Sequence, residues 1–128
     1  MDFAGVFPGR KAALSDKVRT ALDFIGRFYT SNIGLKHIEA AVGLNMFHLS
    51  RKFRREVGMA PIQYLNRYRV EESRRLLISS DKPVREIARM VGIANQNYFA
   101  RLFRRLTGVT PRDFRKHRGS GPAPNRKS

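Results

Sequence analysis

From residue 14 onward, hydrophobic positions recur every three to four residues. Leu14, Val18, Ala21, Leu22, Ile25 and Phe28 form the first such stripe, Ser15 and Asp16 suit its opening turn, and Asn32 and Gly34 interrupt it. Nowhere does the two-residue alternation of a half-buried strand persist, so the predicted fold class is all-α. Residues 1–13 (MDFAGVFPGRKAA) carry Gly5, Pro8 and Gly9 without any period and predict a flexible leader. Residues 119–128 (GSGPAPNRKS) are rich in Gly, Pro and Ser and predict a disordered basic tail.

Within this pattern the chain repeats itself. Leu35, Ile38, Val42 and Gly43 correspond to Val84, Ile87, Val91 and Gly92, and the run RKFRREVGMAP (51–61) corresponds to RLFRRLTGVTP (101–111). The register slips by one residue just after each first Gly, so the second turn is one residue longer. Each copy has the layout of a helix-turn-helix. A short helix ends at Gly43 or Gly92, where a positive φ is cheap. Leu44 or Ile93 follows as a buried turn residue, and Asn45 or Asn95 has the chemistry of an N-cap for the next helix. That helix runs to Gly58 or Gly108, and Pro61 and Pro111 fit the first position of whatever follows.

Helical spacing divides the second helix of each copy into two faces. Leu49, Phe53 and Val57 face a core in the first copy, beside Glu56, and Phe99, Phe103 and Leu106 do so in the second. Opposite them stand Phe47, Ser50, Arg51 and Arg54, and Asn97, Ala100, Arg101 and Arg104. A charged stripe is ordinarily a solvated face. Here it recurs in register, each time after a Gly turn. Its side chains are those a DNA major groove takes: Arg against guanine, an amide against adenine, an apolar group against the thymine methyl. Lys52, Arg55 and Arg105 flank the stripes and suit phosphates, which add affinity without sequence information. Asn45, Arg54, Asn95 and Arg104 join them as phosphate candidates. Phe47 suits either groove contact or packing. His48 and Tyr98 occupy equivalent places at the stripe edge, where a phosphate hydrogen bond and partial burial are both open. Gln96 is either a base reader at the helix start or an exposed polar residue.

Between the copies, Pro61 to Ile78 reads as one helix with Ile62, Leu65, Tyr68, Leu76 and Leu77 as its apolar set. The expected organisation is a leader (1–13), a first helix-turn-helix subdomain (14–61), a linker helix (62–78), a second helix-turn-helix subdomain (79–118) and the tail (119–128). A helix of that length spans about 26 Å. With the bodies of the subdomains added, two recognition helices (about 45–57 and 95–107) come near one B-DNA turn apart, about 34 Å. The expected site is asymmetric and about 20 bp long, since one chain supplies both readers without a dyad.

Composition sharpens this picture. The 128 residues hold 26 Lys+Arg against 10 Asp+Glu, a formal charge of +16, which calls for an acidic partner, most commonly nucleic acid. There is no Cys, and His37, His48 and His117 lack ligand spacing, so neither a metal site nor any other cofactor is expected. No apolar run reaches the roughly 18 residues of a spanning helix, and no secretion signal opens the chain. The sequence therefore reads as a soluble, cytoplasmic protein with no membrane partner.

The runs RKFRREVGMAPIQYLNRYRVEESRRLL and REIARMVGIANQNYFARLFRRLTGVTPRDFRKH together resemble the DNA-binding domain of the AraC/XylS family of bacterial transcription regulators, across roughly residues 15–118. The one-residue difference between the two turns is also a feature of that family. The resemblance implies about seven helices, two helix-turn-helix units joined by a long helix, and action at promoters, commonly as an activator touching RNA polymerase on the nucleoid. Carried over position by position, the base-facing residues are Phe47, Ser50 and Arg51 in the first unit and Gln96, Asn97 and Arg101 in the second.

Three positions depart from the family pattern. The small Ala usual four residues before the turn Gly is kept as Ala88 but replaced by Glu39 in the first unit. A carboxylate at that close helix approach implies looser packing or a nearby cation, and makes the first unit the less secure base reader. Gly34 and Pro83 stand where Ser or Thr caps are usual, weakening those helix starts by about 0.5–1 kcal/mol. Ser73 replaces a customary Ala in the linker helix. Most members carry a sensing or dimerisation domain ahead of this one. This chain is expected to be either a stand-alone member without a small-molecule pocket, governed by its concentration, or a fragment of a longer regulator; the start at Met1 favours the former.

Other classes fit less well. A non-specific nucleic-acid packager would use the charge but has no need of Asn and Gln in asymmetric stripes. An enzyme lacks support, with no Ser/His/acid cluster, carboxylate pair or phosphate-cradling loop. A membrane-active basic helix conflicts with stripes backed by core aromatics.

Overall fold

The computed structural model describes residues 14–117, so the leader and tail expectations lie outside the described residues. Those residues form seven helices and no strand: α1 (Asp16–Phe28), α2 (Leu35–Val42), α3 (Met46–Val57), α4 (Pro61–Ser79), α5 (Val84–Met90), α6 (Gln96–Thr107) and α7 (Pro111–His117). The all-α expectation is met. They fall into two compact units, 14–29 with 33–65 and 30–32 with 66–117, so α4 contributes to both.

In the first unit α1 starts where Ser15 Oγ accepts from the Val18 amide at 3.4 Å. Glu56 Oε1 accepts from the Ser15 amide at 2.7 Å, tying that start to α3. Val18, Ala21 and Ile25 of α1 pack with Ile38 and Val42 of α2 and with Leu49, Phe53 and Val57 of α3, all nearly inaccessible. Each large side chain so buried favours folding by about 1.5–3 kcal/mol. Phe28, expected in this stripe, is 44% exposed and leans on Phe24, their ring centroids 4.9 Å apart. At about 100° per residue, Phe28 and the half-buried Leu22 fall at opposite edges of the stripe that Val18, Ala21 and Ile25 define.

The second unit repeats the scheme. Phe99, Leu102 and Phe103 of α6 pack with Ile87 and Ala88 of α5. Leu102 is buried where the sequence pattern named Leu106, which is half-buried in the last turn. The matching position in the first copy is Lys52, also half-buried, with its stem inward and its ammonium 3.9 Å from Glu56. One aromatic contact is duplicated outright. Phe53 meets Tyr64 edge-on at 5.8 Å, and Phe103 meets Phe114 edge-on at 5.6 Å.

The two turns differ as their lengths require. Gly43 has φ 82° and passes through Leu44 to Asn45, whereas Gly92 has φ 92° and passes through Ile93 and Ala94 to Asn95. Positive φ at those positions strains any residue with a Cβ. Ile93 is buried as expected, but Leu44 is only half-buried.

Helix α4 corrects the expected apolar set. Ile62, Tyr68 and Leu76 are half-buried, while Pro61, Leu65, Arg69, Ser73 and Leu77 make a buried row at intervals of four, flanked by Tyr64 and Val70. The polar members hid this row from a hydrophobicity reading. Arg69 Nη2 donates to the Ser31 carbonyl at 2.8 Å, and Ser73 Oγ donates to the Val70 carbonyl at 2.7 Å. Burial pushes the Arg69 guanidinium below its ordinary pKa.

Candidate nucleic-acid interface

Helices α3 and α6 are built alike from their first residue. Asn45 Oδ1 accepts from the His48 amide at 2.9 Å, and Asn95 Oδ1 accepts from the Tyr98 amide at 2.8 Å. Both helices end in left-handed glycines, Gly58 and Gly108. With the buried rows fixing their rotation, the opposite faces are set. Phe47, Arg51 and Arg54 are exposed on α3 and Ser50 is half-exposed; Gln96, Asn97, Arg101 and Arg104 are exposed on α6 beside half-exposed Ala100.

On α3 these side chains surround one open depression of about 680 Å³, which Asn45, Met46, Phe47, Ser50, Arg51 and Arg54 share with Glu39. Phe47 is 64% exposed, and the Arg51 guanidinium carbon lies 5.5 Å from its ring centroid. That distance is within cation–π range, so the ring steadies the guanidinium it presents. Among the described residues, none of Arg51, Arg54, Arg101, Arg104 and Arg105 forms an ion pair. A neighbouring depression brings His48, Lys52 and Arg55 together with Lys17, whose Nζ donates to the Val42 carbonyl at 3.0 Å. On α6, Gln96 and Ala100 line a groove with Arg85 and Arg112. Arg85 and Arg112 lie outside the α6 stripe, on the first turns of α5 and α7. Only the topology brings them to Gln96.

Each predicted residue is thereby placed. Phe47, Ser50 and Arg51 are together at one surface of the first unit, and Gln96, Asn97 and Arg101 share the α6 surface of the second. Asn45 and Asn95 have spent Oδ1 on capping and keep their amide hydrogens as donors. Lys52 is the phosphate candidate with least reach, 34% exposed and engaged with Glu56. His48 and Tyr98 are exposed, not buried.

Of the unusual positions, Glu39 and Gly34 are each met by a specific bond. Among the described residues Glu39 forms no ion pair; its Oε2 accepts from the Met46 amide, the first residue of α3. Gly34 has no side chain to cap α2, but His37 Nδ1 accepts from the Gly34 amide at 2.9 Å, half of a capping box supplied from the other end. Pro83 provides no side-chain cap for α5. Among the described residues no group of three or more His, Asp or Glu is arranged to hold a metal, and no helix is long and apolar enough to cross a membrane.

Residues 38–117 match the family described as a helix-turn-helix domain. The transcriptional activator RhaS of Klebsiella pneumoniae is 31% identical over 116 residues, which cover 85% of this chain and 42% of RhaS. The bifunctional transcriptional activator and DNA repair enzyme AdaA of Bacillus subtilis is 31% identical over 102 residues, covering 80% of this chain and 48% of AdaA. The chain thus spans less than half the length of these curated relatives. Among solved structures, the C-terminal domain of the response regulator AraT from Geobacillus stearothermophilus superposes with a TM-score of 0.78 at 32% identity, covering 80% of this chain and 86% of that one. The DNA-binding domain of AdpA, solved with a target DNA, gives a TM-score of 0.75 at 27% identity, covering 80% of this chain and 92% of that one. The repeated helix pair, its exposed arginines and these likenesses converge: the chain belongs to the AraC/XylS family of helix-turn-helix DNA-binding domains of transcription regulators.

Proposed function

We propose that this chain reads promoter DNA with two heads, laying α3 and α6 in successive major-groove segments of one asymmetric site of about 20 bp. The observation that carries this reading is the duplicated recognition helix: the same Asn cap, the same buried Phe and the same exposed Arg stripe occur in each unit. Phe47, Ser50, Arg51, Gln96, Asn97 and Arg101 contact base edges. Arg54, Arg55, Arg104 and Arg105 hold phosphates, with Asn45, Asn95 and Lys52 in support. Arg85 and Arg112 extend the phosphate-facing surface beside Gln96. Activation through RNA polymerase is the regulatory outcome, as the names of RhaS and AdaA support. The place of action is the bacterial cytoplasm, on the nucleoid.

Selection of bound duplexes from a random 30-bp pool at about 150 mM salt tests this reading. Two unlike blocks about ten base pairs apart, bound on the order of a thousandfold above scrambled DNA, are expected. A single block would reduce one unit to backbone holding. No enrichment, with a steep salt slope on every sequence, would leave a basic packager instead.

A further inference from the structure

We infer that Glu39 is itself a base-reading residue, accepting a hydrogen bond from the exocyclic amino group of cytosine or adenine beneath the start of α3; the inference rests on the DNA-reading function proposed above. An ionised carboxylate has about four acceptor sites and no donor. Glu39 uses one oxygen, Oε2, on the Met46 amide, and that bond holds the side chain at the first turn of α3. The N-terminal residues of a recognition helix are those that meet base edges. The carboxylate lines the same depression as Phe47, Ser50 and Arg51, so it belongs to the surface that already carries the first unit's readers.

What it accepts follows from its charge. Cytosine N4 and adenine N6 are the amino donors of the major groove, whereas guanine O6 and thymine O4 are acceptors that a carboxylate repels. A phosphate is repelled likewise, so the carboxylate itself selects an amino donor rather than the DNA backbone, which is left to Asn45 and the arginines. The second unit has nothing comparable, because fully buried Ala88 takes the equivalent position. Glu39 therefore discriminates in one block only.

The same random-pool selection, run with the wild type, Glu39→Gln and Glu39→Ala, tests this. The wild type should prefer cytosine or adenine roughly tenfold at one position of the block read by α3, and which of the two is enriched identifies the donor. Glu39→Gln keeps an acceptor for the Met46 amide, so the fold is retained, while its NH₂ admits thymine or guanine at that position. Glu39→Ala should erase the preference there and leave the α6 block unchanged. A wild-type motif that both variants reproduce, with affinities altered in parallel on cognate and scrambled DNA, would overturn the inference and leave Glu39 as a helix cap only. A wild type that selects no motif would overturn the DNA-reading function and this role with it.

Discussion

Arg101 stands exposed on the outward face of α6, whereas Arg115 spends its guanidinium on the carbonyls of Leu77 at 3.1 Å, Ser80 at 2.9 Å and Lys82 at 2.6 Å. One side chain is left free to bind outward; the other closes the end of α4 and the segment after it. Mutation should separate them cleanly. Arg101→Ala should weaken binding to the selected site by about 1–3 kcal/mol and scarcely change binding to scrambled DNA, with the melting temperature unmoved. Equal losses on both DNAs would make Arg101 a phosphate contact. Arg115→Ala should instead lower folding stability by about 1–3 kcal/mol, because the part-buried carbonyls of Leu77 and Ser80 lose a charged donor. Thermal melts and binding titrations on the same two variants check both outcomes.

At the scale of the helices, the caps bear directly on the interface. Asn45 and Asn95 fix the first turns of α3 and α6, the turns that present Phe47 and Gln96. Asn95→Ala should cost about 1 kcal/mol of stability in chemical denaturation. Asn95→Asp keeps an acceptor for the Tyr98 amide and should retain most of that stability, yet bind all DNA more weakly, since it adds a negative charge facing phosphate. Undiminished affinity in that variant would remove Asn95 from the phosphate set. These caps, the glycine stops and the buried phenylalanines were legible in the sequence because each is a local rule applied twice in register. The middle of α4 was not. Its buried row runs through Arg69 and Ser73, whose partners, the Ser31 and Val70 carbonyls, carry no side-chain signal. Leu102 was obscured for a related reason, since its counterpart Lys52 buries a stem while showing a charge to the reader. Glu39 looked like a packing defect in the sequence because its partner is a backbone amide, and a backbone amide has no residue type. The DNA-facing residues were legible only as a stripe; the neighbourhood of Arg85, Arg112 and Gln96 required the folded topology.

Over the whole molecule, the formal charge of +16 overstates what faces DNA. Arg69 and Arg115 hold backbone carbonyls, Lys17 caps the end of α2, Lys52 pairs with Glu56, and Arg74 pairs with Glu71 at 2.9 Å while its guanidinium also lies over the Phe114 ring. Such cations are fixed in the folded protein before DNA arrives, so they contribute less to counterion release than the exposed arginines of α3 and α6. The salt dependence of binding measures this division, because the slope of log K against log salt is about −0.9 per phosphate neutralised. Residues 119–128 add Arg126 and Lys127 to the charge without adding any base-reading side chain to α3 or α6. Deleting them should therefore weaken binding by the same factor on selected and scrambled DNA and make the slope shallower by about 1–2. The selected motif should stay the same, base for base. An unchanged slope would mean that the tail does not reach the phosphates, and a changed motif would give it a part in sequence recognition that its composition does not suggest.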